Sequence, residues 1–382
     1  MANNTRNEYI PDSVSCPGET LLETITALGM TQTELARRTG RPVKTINEII
    51  NGKAALTPET ALQLERVLGV PARFWNNRER HYREHMASEQ ERERLASETE
   101  WLEQLPLKEM IKRGWVRSCA DPVEQIRILL DFFGVTSPRP WQELCPPAAY
   151  RNAKAFERNP ASVAAWLRRG ELLARDASCD PFSKAQLRRL FPQLRGLVLM
   201  DPNEGWSRAR ALCASGGVAA VCVAELPGTR VCGVARWLTP EKALVQLSLR
   251  YRTTDQFWFS FFHEIGHVLL HGKTGFFVDT GESADEVKEG DADRFAGDLP
   301  IPPAPYRSFC QAGIFTEGAI CRFAQEQQTD PGIVVGRLQH DRLLDWRSAC
   351  NHLKSSTTLS CEGCSSAARH SAPARRSSPT SR

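Results

Sequence analysis

The stretch His263-Glu264-Ile265-Gly266-His267 sets two imidazoles four residues apart, with a carboxylate beside the first. Successive residues of an α-helix turn by about 100°, so the two histidines share a face. From that face both ring nitrogens can reach one tetrahedral Zn²⁺, and Glu264 can reach a water on the metal. The chemistry open to such a set is hydrolysis. The ion acidifies its water and polarises a carbonyl, while Glu264 takes the water proton and hands it to the leaving amine.

The helix that must carry these residues is legible around them. Along FWFSFFHEIGHVLLH, residues 257–271, Ser260, His263, Glu264, His267 and His271 fall on one narrow stripe, and apolar side chains cover the rest. A buried helix with a single polar stripe needs partners for that stripe, and a metal supplies one. Thr253 with Gln256 three residues on reads as a capping box that starts the helix.

A hydrolytic zinc site takes a third protein ligand and leaves its fourth position to water. His271 lies eight residues after His263, about 12 Å along the axis, too far to share the ion, and is read as supporting the site from the helix end. A second helix is expected from Ser283 to Leu299, capped by Ser283 with Glu286 and stopped by Pro300. On it Glu289 and Asp293 share a face. In zincins of the glutamate type a ligand glutamate is followed four residues later by an acid that orients a ligand histidine, and Glu289 with Asp293 fits that spacing. Asp291 points about 200° away and is the weaker choice, and Glu286 stays open as an alternative.

These two helices resemble the ImmA/IrrE family of metallopeptidases. HEIGHVLLH at 263–271, EGDADRFAGDLPIP at 289–302 and the preceding FWFSFF carry the resemblance, which covers about residues 196–310. It implies a zinc-dependent endopeptidase whose relatives cut regulatory proteins, often DNA-bound repressors. The DLP at 298–300 departs from the family's usual apolar pair before proline. Ahead of the motif, GLVLM, VAAVCVAEL, RVCGVARWL and KALVQLSLR read as short strands, with a hairpin turn at Leu226 to Thr229. A small sheet packed on the His263 helix is expected, with an edge strand that could hold an extended peptide. The loop 272–282 reads as a mobile rim.

The N-terminal part is a string of short helices punctuated by Gly40, Pro42, Asn51-Gly52, Thr57-Pro58 and Gly69-Val70-Pro71. Two short helices joined by a glycine turn are the layout of a helix-turn-helix reader, whose second helix, Pro42 to Ile50, would enter the major groove. There Val43, Lys44 and Asn47 face outward to read base edges. Gln32, Arg41 and Lys53 would hold phosphates. Residues 31–75 are similar to the Cro/C1-type (XRE) DNA-binding domain and closest to HigA-type antitoxins, on the TQTELARRTG and INEIINGK elements. That resemblance covers roughly residues 18–86. It implies operator binding, usually as a homodimer through or near this domain.

The expected organisation is α+β and mainly helical: a flexible lead at 1–17, a five-helix reader at 18–86, a helical middle region at 87–192, a zincin-like domain at 193–346 and a disordered tail at 347–382. The chain has 41% hydrophobic and 25% charged residues, no signal pattern at its start and no long apolar run, which point to a soluble, cytoplasmic protein with no membrane partner. The net charge of +4 equals the four arginines of residues 365–382, so bulk charge makes no case for nucleic acid. The 12 cysteines are scattered, and those in apolar segments, Cys222 and Cys232, read as reduced thiols. Two functions follow. One is a DNA-binding regulator with a zinc peptidase that cuts a toxin, a repressor or itself. The other is a non-enzymatic repressor or antitoxin whose peptidase-like domain senses or binds a partner.

Overall fold

The computed structural model describes residues 14–144, 159–272, 277–279, 286–356 and 359. Residues 1–13 of the expected lead at 1–17, the Ser283 cap and the end of the tail lie outside the described residues, and the helices begin at Pro17, the last residue of that lead. The chain forms two compact units, Met1–Thr99 and Glu100–Arg382.

Among the described residues the first unit holds five helices, α1 (Pro17–Ala27), α2 (Gln32–Thr39), α3 (Val43–Ile50), α4 (Pro58–Leu68) and α5 (Ala72–Ala96). Their ends follow from local chemistry. Thr31 and Thr57 accept backbone N–H groups at the starts of α2 and α4, and Gly40 and Gly69 end those helices in the left-handed region that glycine tolerates. Leu21, Ile25, Leu35, Ile46, Leu64 and Trp75 meet in one buried core. α1 touches α3 so closely that a Cβ on Gly18 would stand 2.2 Å from the Ile49 carbonyl oxygen. α5 runs on to Ala96, ten residues past the expected end of this domain at 86. Its surface is laced with i,i+4 pairs such as Arg83–Glu79, which suit a solvated helix.

The second unit merges what was expected as a middle region and a separate zincin-like domain. Among the described residues six helices lead in: α6 (Trp101–Gln104), α7 (Leu107–Lys112), α8 (Pro122–Phe133), α9 (Pro138–Leu144), α10 (Pro160–Asp176) and α11 (Lys184–Arg189). α12 (Phe191–Gly196), a 3-10 turn at Leu197–Leu199 and α13 (Pro202–Ser215) follow. The GLVLM run is therefore not a strand. Leu197 and Val198 bury themselves in the turn between two helices, and a short apolar run alone does not distinguish the two outcomes.

The sheet has the order β1-β3-β2-β4, from β1 (Val218–Cys222), β2 (Gly233–Thr239), β3 (Lys242–Leu247) and β4 (Phe277–Asp279). β3 pairs parallel with β1 and antiparallel with β2. Because β1 and β2 flank β3, Leu226 to Thr229 is a turn but not a hairpin. Within the loop at 272–282, expected as a mobile rim, Phe277–Asp279 forms β4, which pairs antiparallel with β2 and takes its outer edge; residues 273–276 and 280–282 lie outside the described residues.

Side chains alternate along β3. Ala243, Val245 and Leu247 join the core under α14 (Thr254–Leu270), while Gln246 turns to the other face and donates to the Trp166 carbonyl of α10. Gly170 of α10 leaves room for that amide, since a Cβ there would overlap it. Trp166 and Trp141 are both buried, as core residues. α15 (Glu286–Asp298) lies across α14, with a Cβ on Gly266 only 3.3 Å from the Ala292 Cα. α16 (Pro303–Ala312), α17 (Glu317–Gln327) and α18 (Pro331–His340) complete the unit.

Two further expectations change. Thr253 is the N-cap of α14 but makes no side-chain cap bond. Instead the Thr254 N–H donates to the Ser355 carbonyl at 3.0 Å, and Thr253 bridges to Ser356. The tail is thus ordered at least through Ser356, including a 3-10 turn at Ala349–Leu353. Cys222 is disulfide-bonded rather than a reduced thiol, while Cys232 is a buried thiol. No helix among the described residues is long and apolar enough to cross a membrane.

Candidate metal centre and helix-turn-helix face

α14 and α15 bring His263, His267 and Glu289 together, with one donor atom of each within 4.8 Å of the others. His263 Nε2 is 2.9 Å from His267 Nε2 and 3.1 Å from Glu289 Oε2, and His267 Nε2 is 3.5 Å from the same oxygen. A tetrahedral zinc with ligand bonds of about 2.0–2.2 Å spaces its ligand atoms roughly 3.3–3.6 Å apart; the 3.5 Å edge matches, and the 2.9 and 3.1 Å edges are shorter than an ion would set them.

The surrounding contacts strengthen that fit. Asp293 Oδ1 lies 2.9 Å from His263 Nδ1, which sets a proton on Nδ1 and leaves the Nε2 lone pair aimed inward. His271, the C-cap of α14, places its Nδ1 3.0 Å from Nδ1 of His267. With those outer nitrogens engaged, three acceptor atoms face one another in a buried place, an arrangement that a cation relieves. Burial pushes the Glu289 carboxyl up, but hydrogen bonds from His263 and His267 outweigh it and hold the group at about 2; that balance belongs to the triangle with protons on both Nε2 atoms, which a cation would displace. The glutamate is therefore anionic, as a ligand must be.

Glu264 is fully buried on the same stripe. Its carboxylate rests against Gly233 of β2, where a Cβ would stand 2.4 Å from Oε1. Gly233 escaped the sequence reading, although a glycine inside a strand often marks such a close approach. Of the alternatives, Asp291 faces Arg294 at 3.5 Å and stays outside the cluster.

In the first unit α2 and α3 are joined by Gly40, Arg41 and Pro42, with Gly40 at φ 69. α3 buries Ile46, Ile49 and Ile50 and leaves Val43, Lys44 and Asn47 exposed. Residues 21–75 match the helix-turn-helix (HTH_3) family. They are a helix-turn-helix domain. The uncharacterized HTH-type transcriptional regulator YddM of Escherichia coli (strain K12) is 36% identical over 61 residues, 16% of this chain and 65% of that one. The chain thus spans somewhat under two thirds of that relative's length. An addiction module antidote protein of the HigA family from Coxiella burnetii is 30% identical, covering 22% of this chain and 94% of that chain, with a TM-score of 0.21. At that score the likeness bears on neither fold nor function.

Within the helix-turn-helix domain the expected contact residues are unevenly placed. The Asn47 amide donates to Gln32 Oε1 at 3.2 Å and its oxygen accepts from Asn51 at 3.1 Å, tying the start of α2 to the outward face of α3. Asn51 was not anticipated. Lys44 is 3.8 Å from Glu48, an exposed pair that constrains it little. Lys53 is exposed just past α3. Arg41 is half-buried, with its Nε donating to Gln63 of α4 at 2.6 Å.

Proposed function

We propose that this protein is a DNA-binding transcriptional regulator of the antitoxin-like helix-turn-helix kind that also carries a zinc-dependent endopeptidase centre. The helix-turn-helix match of residues 21–75 supports the first half. The second half rests on the His263–His267–Glu289 triangle, with Glu264 beside it on the same helix. When bound, zinc would acidify its water and polarise a scissile carbonyl. His263, His267 and Glu289 would hold it. Asp293 fixes the tautomer of His263, and His271 braces His267. Glu264, one residue from His263, would take a proton from the attacking water and return it to the amine. The substrate would be a regulatory protein: a toxin, a repressor or a copy of this chain.

The test combines metal content with cleavage. Purified protein should carry one zinc per chain. Glu289→Ala should lose it, and Glu264→Gln should keep it. A protein encoded beside this one, co-expressed with it, should be cut by wild type and left whole by Glu264→Gln or after chelation. Cleavage by Glu264→Gln at the wild-type rate would remove the assigned base.

One observation favours a second reading, in which the domain binds metal and a partner without hydrolysis. β4 already occupies the edge of β2 beside Gly233, where an extended peptide would pair. On this reading zinc is retained, yet no cleavage separates wild type from Glu264→Gln.

A further inference from the structure

Upstream of Glu264 the polar stripe of α14 continues to Ser260, one turn or about 6 Å along the axis. Ser260 borders a shallow cleft together with Cys232, Ser248, Arg250 and Arg252. The cleft adjoins the candidate centre by a second route, because Cys232 precedes Gly233, the residue against which Glu264 rests.

Three arginines gather in these segments. Arg250 Nη1 donates to the Arg230 carbonyl and lies 4.0 Å from Cys232 Sγ, and its guanidinium sits 5.0 Å from the Tyr251 ring centre. Arg230 and Arg252 are exposed, and neither guanidinium makes an ion pair or hydrogen bond among the described residues. Both hold left-handed backbone, at φ 48 and φ 52. That conformation is uncommon for a residue with a side chain, and it collects at functional sites. The charge there is not balanced. Glu225 faces Arg250 and Arg252 and supplies one carboxylate, while Arg113, which faces it as well, has Glu109 at 3.8 Å. Three guanidinium groups against one carboxylate leave an excess of positive charge.

We propose that this face receives the acidic part of a peptide chain, with a glutamate or aspartate a few residues from the scissile bond pairing with Arg230 and Arg252. A guanidinium fork matches a carboxylate with two parallel N–H donors. A peptide suits the place better than nucleic acid does. The neighbouring Glu264 and Glu289 carboxylates repel a continuous row of phosphates, and tolerate one acidic side chain set to the side. The role as a substrate subsite rests on the peptidase reading, whereas the preference for acidic peptide needs no hydrolysis.

The experiment uses the full-length chain supplied with zinc and two fluorescein-labelled dodecapeptides of one alanine-rich sequence, bearing either four glutamates or four glutamines. Binding is read by anisotropy in Glu264→Gln, which leaves the peptides whole. The glutamate peptide should bind about tenfold more tightly at low salt, with the margin shrinking as salt rises. Arg230→Gln with Arg252→Gln, both at exposed positions, should erase the margin. Equal affinity for the two peptides, or a margin that survives the double change, overturns the inference. Cutting by the chain with Glu264 intact is followed separately by mass spectrometry. Equal cutting of both peptides overturns the inference and spares the peptidase reading. Arginine-dependent binding without cutting overturns the peptidase reading and upholds the acidic-peptide face. A labelled single-stranded oligothymidylate that loses affinity on the double change, while the glutamate peptide does not bind, overturns the inference in favour of nucleic acid.

Discussion

Asp293 Oδ1 sits 2.9 Å from His263 Nδ1, one helical turn beyond Glu289 on the same face of α15. One helix thus provides both a candidate ligand and the group that orients another. Removing such an orienting acid typically lowers metal affinity by about 10–100-fold. Asp293→Ala should therefore weaken zinc binding within that range while leaving the fold intact. Competition against a chromophoric chelator measures it, and unchanged affinity would separate Asp293 from the metal.

Gly233 makes a sharper prediction about Glu264. A methyl group at this position would intrude on the carboxylate, so Gly233→Ala should displace the base without touching His263, His267 or Glu289. A misplacement of about 1 Å can cost on the order of 10²-fold in turnover. The variant should keep its zinc and lose cleavage to that extent. Full activity with full metal content would show that Glu264 has no need of its present seat.

On the helix-turn-helix face, Asn47 and Lys53 should fail in different ways. Asn47 is held by Gln32 and Asn51 with its amide at the outward surface of α3. Asn47→Ala should cost about 1–3 kcal/mol on a selected operator and relax preference at one base pair. Lys53→Ala should weaken binding to every sequence alike and reduce the salt slope by about one. Binding titrations at several salt concentrations read both.

Tyr306 gives a pH prediction away from the site. Burial, then its hydrogen bond to Asp341 Oδ2 at 2.7 Å, push its phenol well above the usual tyrosine range. The folded state favours the neutral phenol, so this contribution is complete below the unfolded pKa of about 10 and is lost as pH rises beyond it. Tyr306→Phe should lower stability by about 1.5–3 kcal/mol at neutral pH, and its stability should fall less steeply than wild type above pH ~10. Denaturant melts across that range check it. Parallel curves for the two proteins would refute it.

The parts of this architecture that could be read in advance are those set by spacing within one helix. His263 and His267 meet because four residues make about a turn, and Asp293 follows Glu289 by the same rule. The outward set on α3 was legible for the same reason, since Ile46 and Ile49 mark its inner side. What escaped depends on pairing between distant segments. Gly233 meets Glu264 only through the packing of β2 on α14, and Arg41 meets Gln63 across helices. The Leu226 turn was misread as a hairpin because β3, later in the chain, inserts between β1 and β2. The Thr253 capping box does not form, and the start of the helix is tied instead through the Thr254 N–H to a distant carbonyl.

That carbonyl belongs to Ser355. Together with the Lys354–Asp255 pair and the Ser356 bridge, it fastens the first turn of α14 to a segment a hundred residues downstream. Anyone trimming this chain at Trp346, where the composition turns to serine, alanine and arginine, would cut away the anchor of the very helix they meant to study. A shortened version ending there should melt earlier and lose grip on zinc, and could be mistaken for proof that the centre is inert.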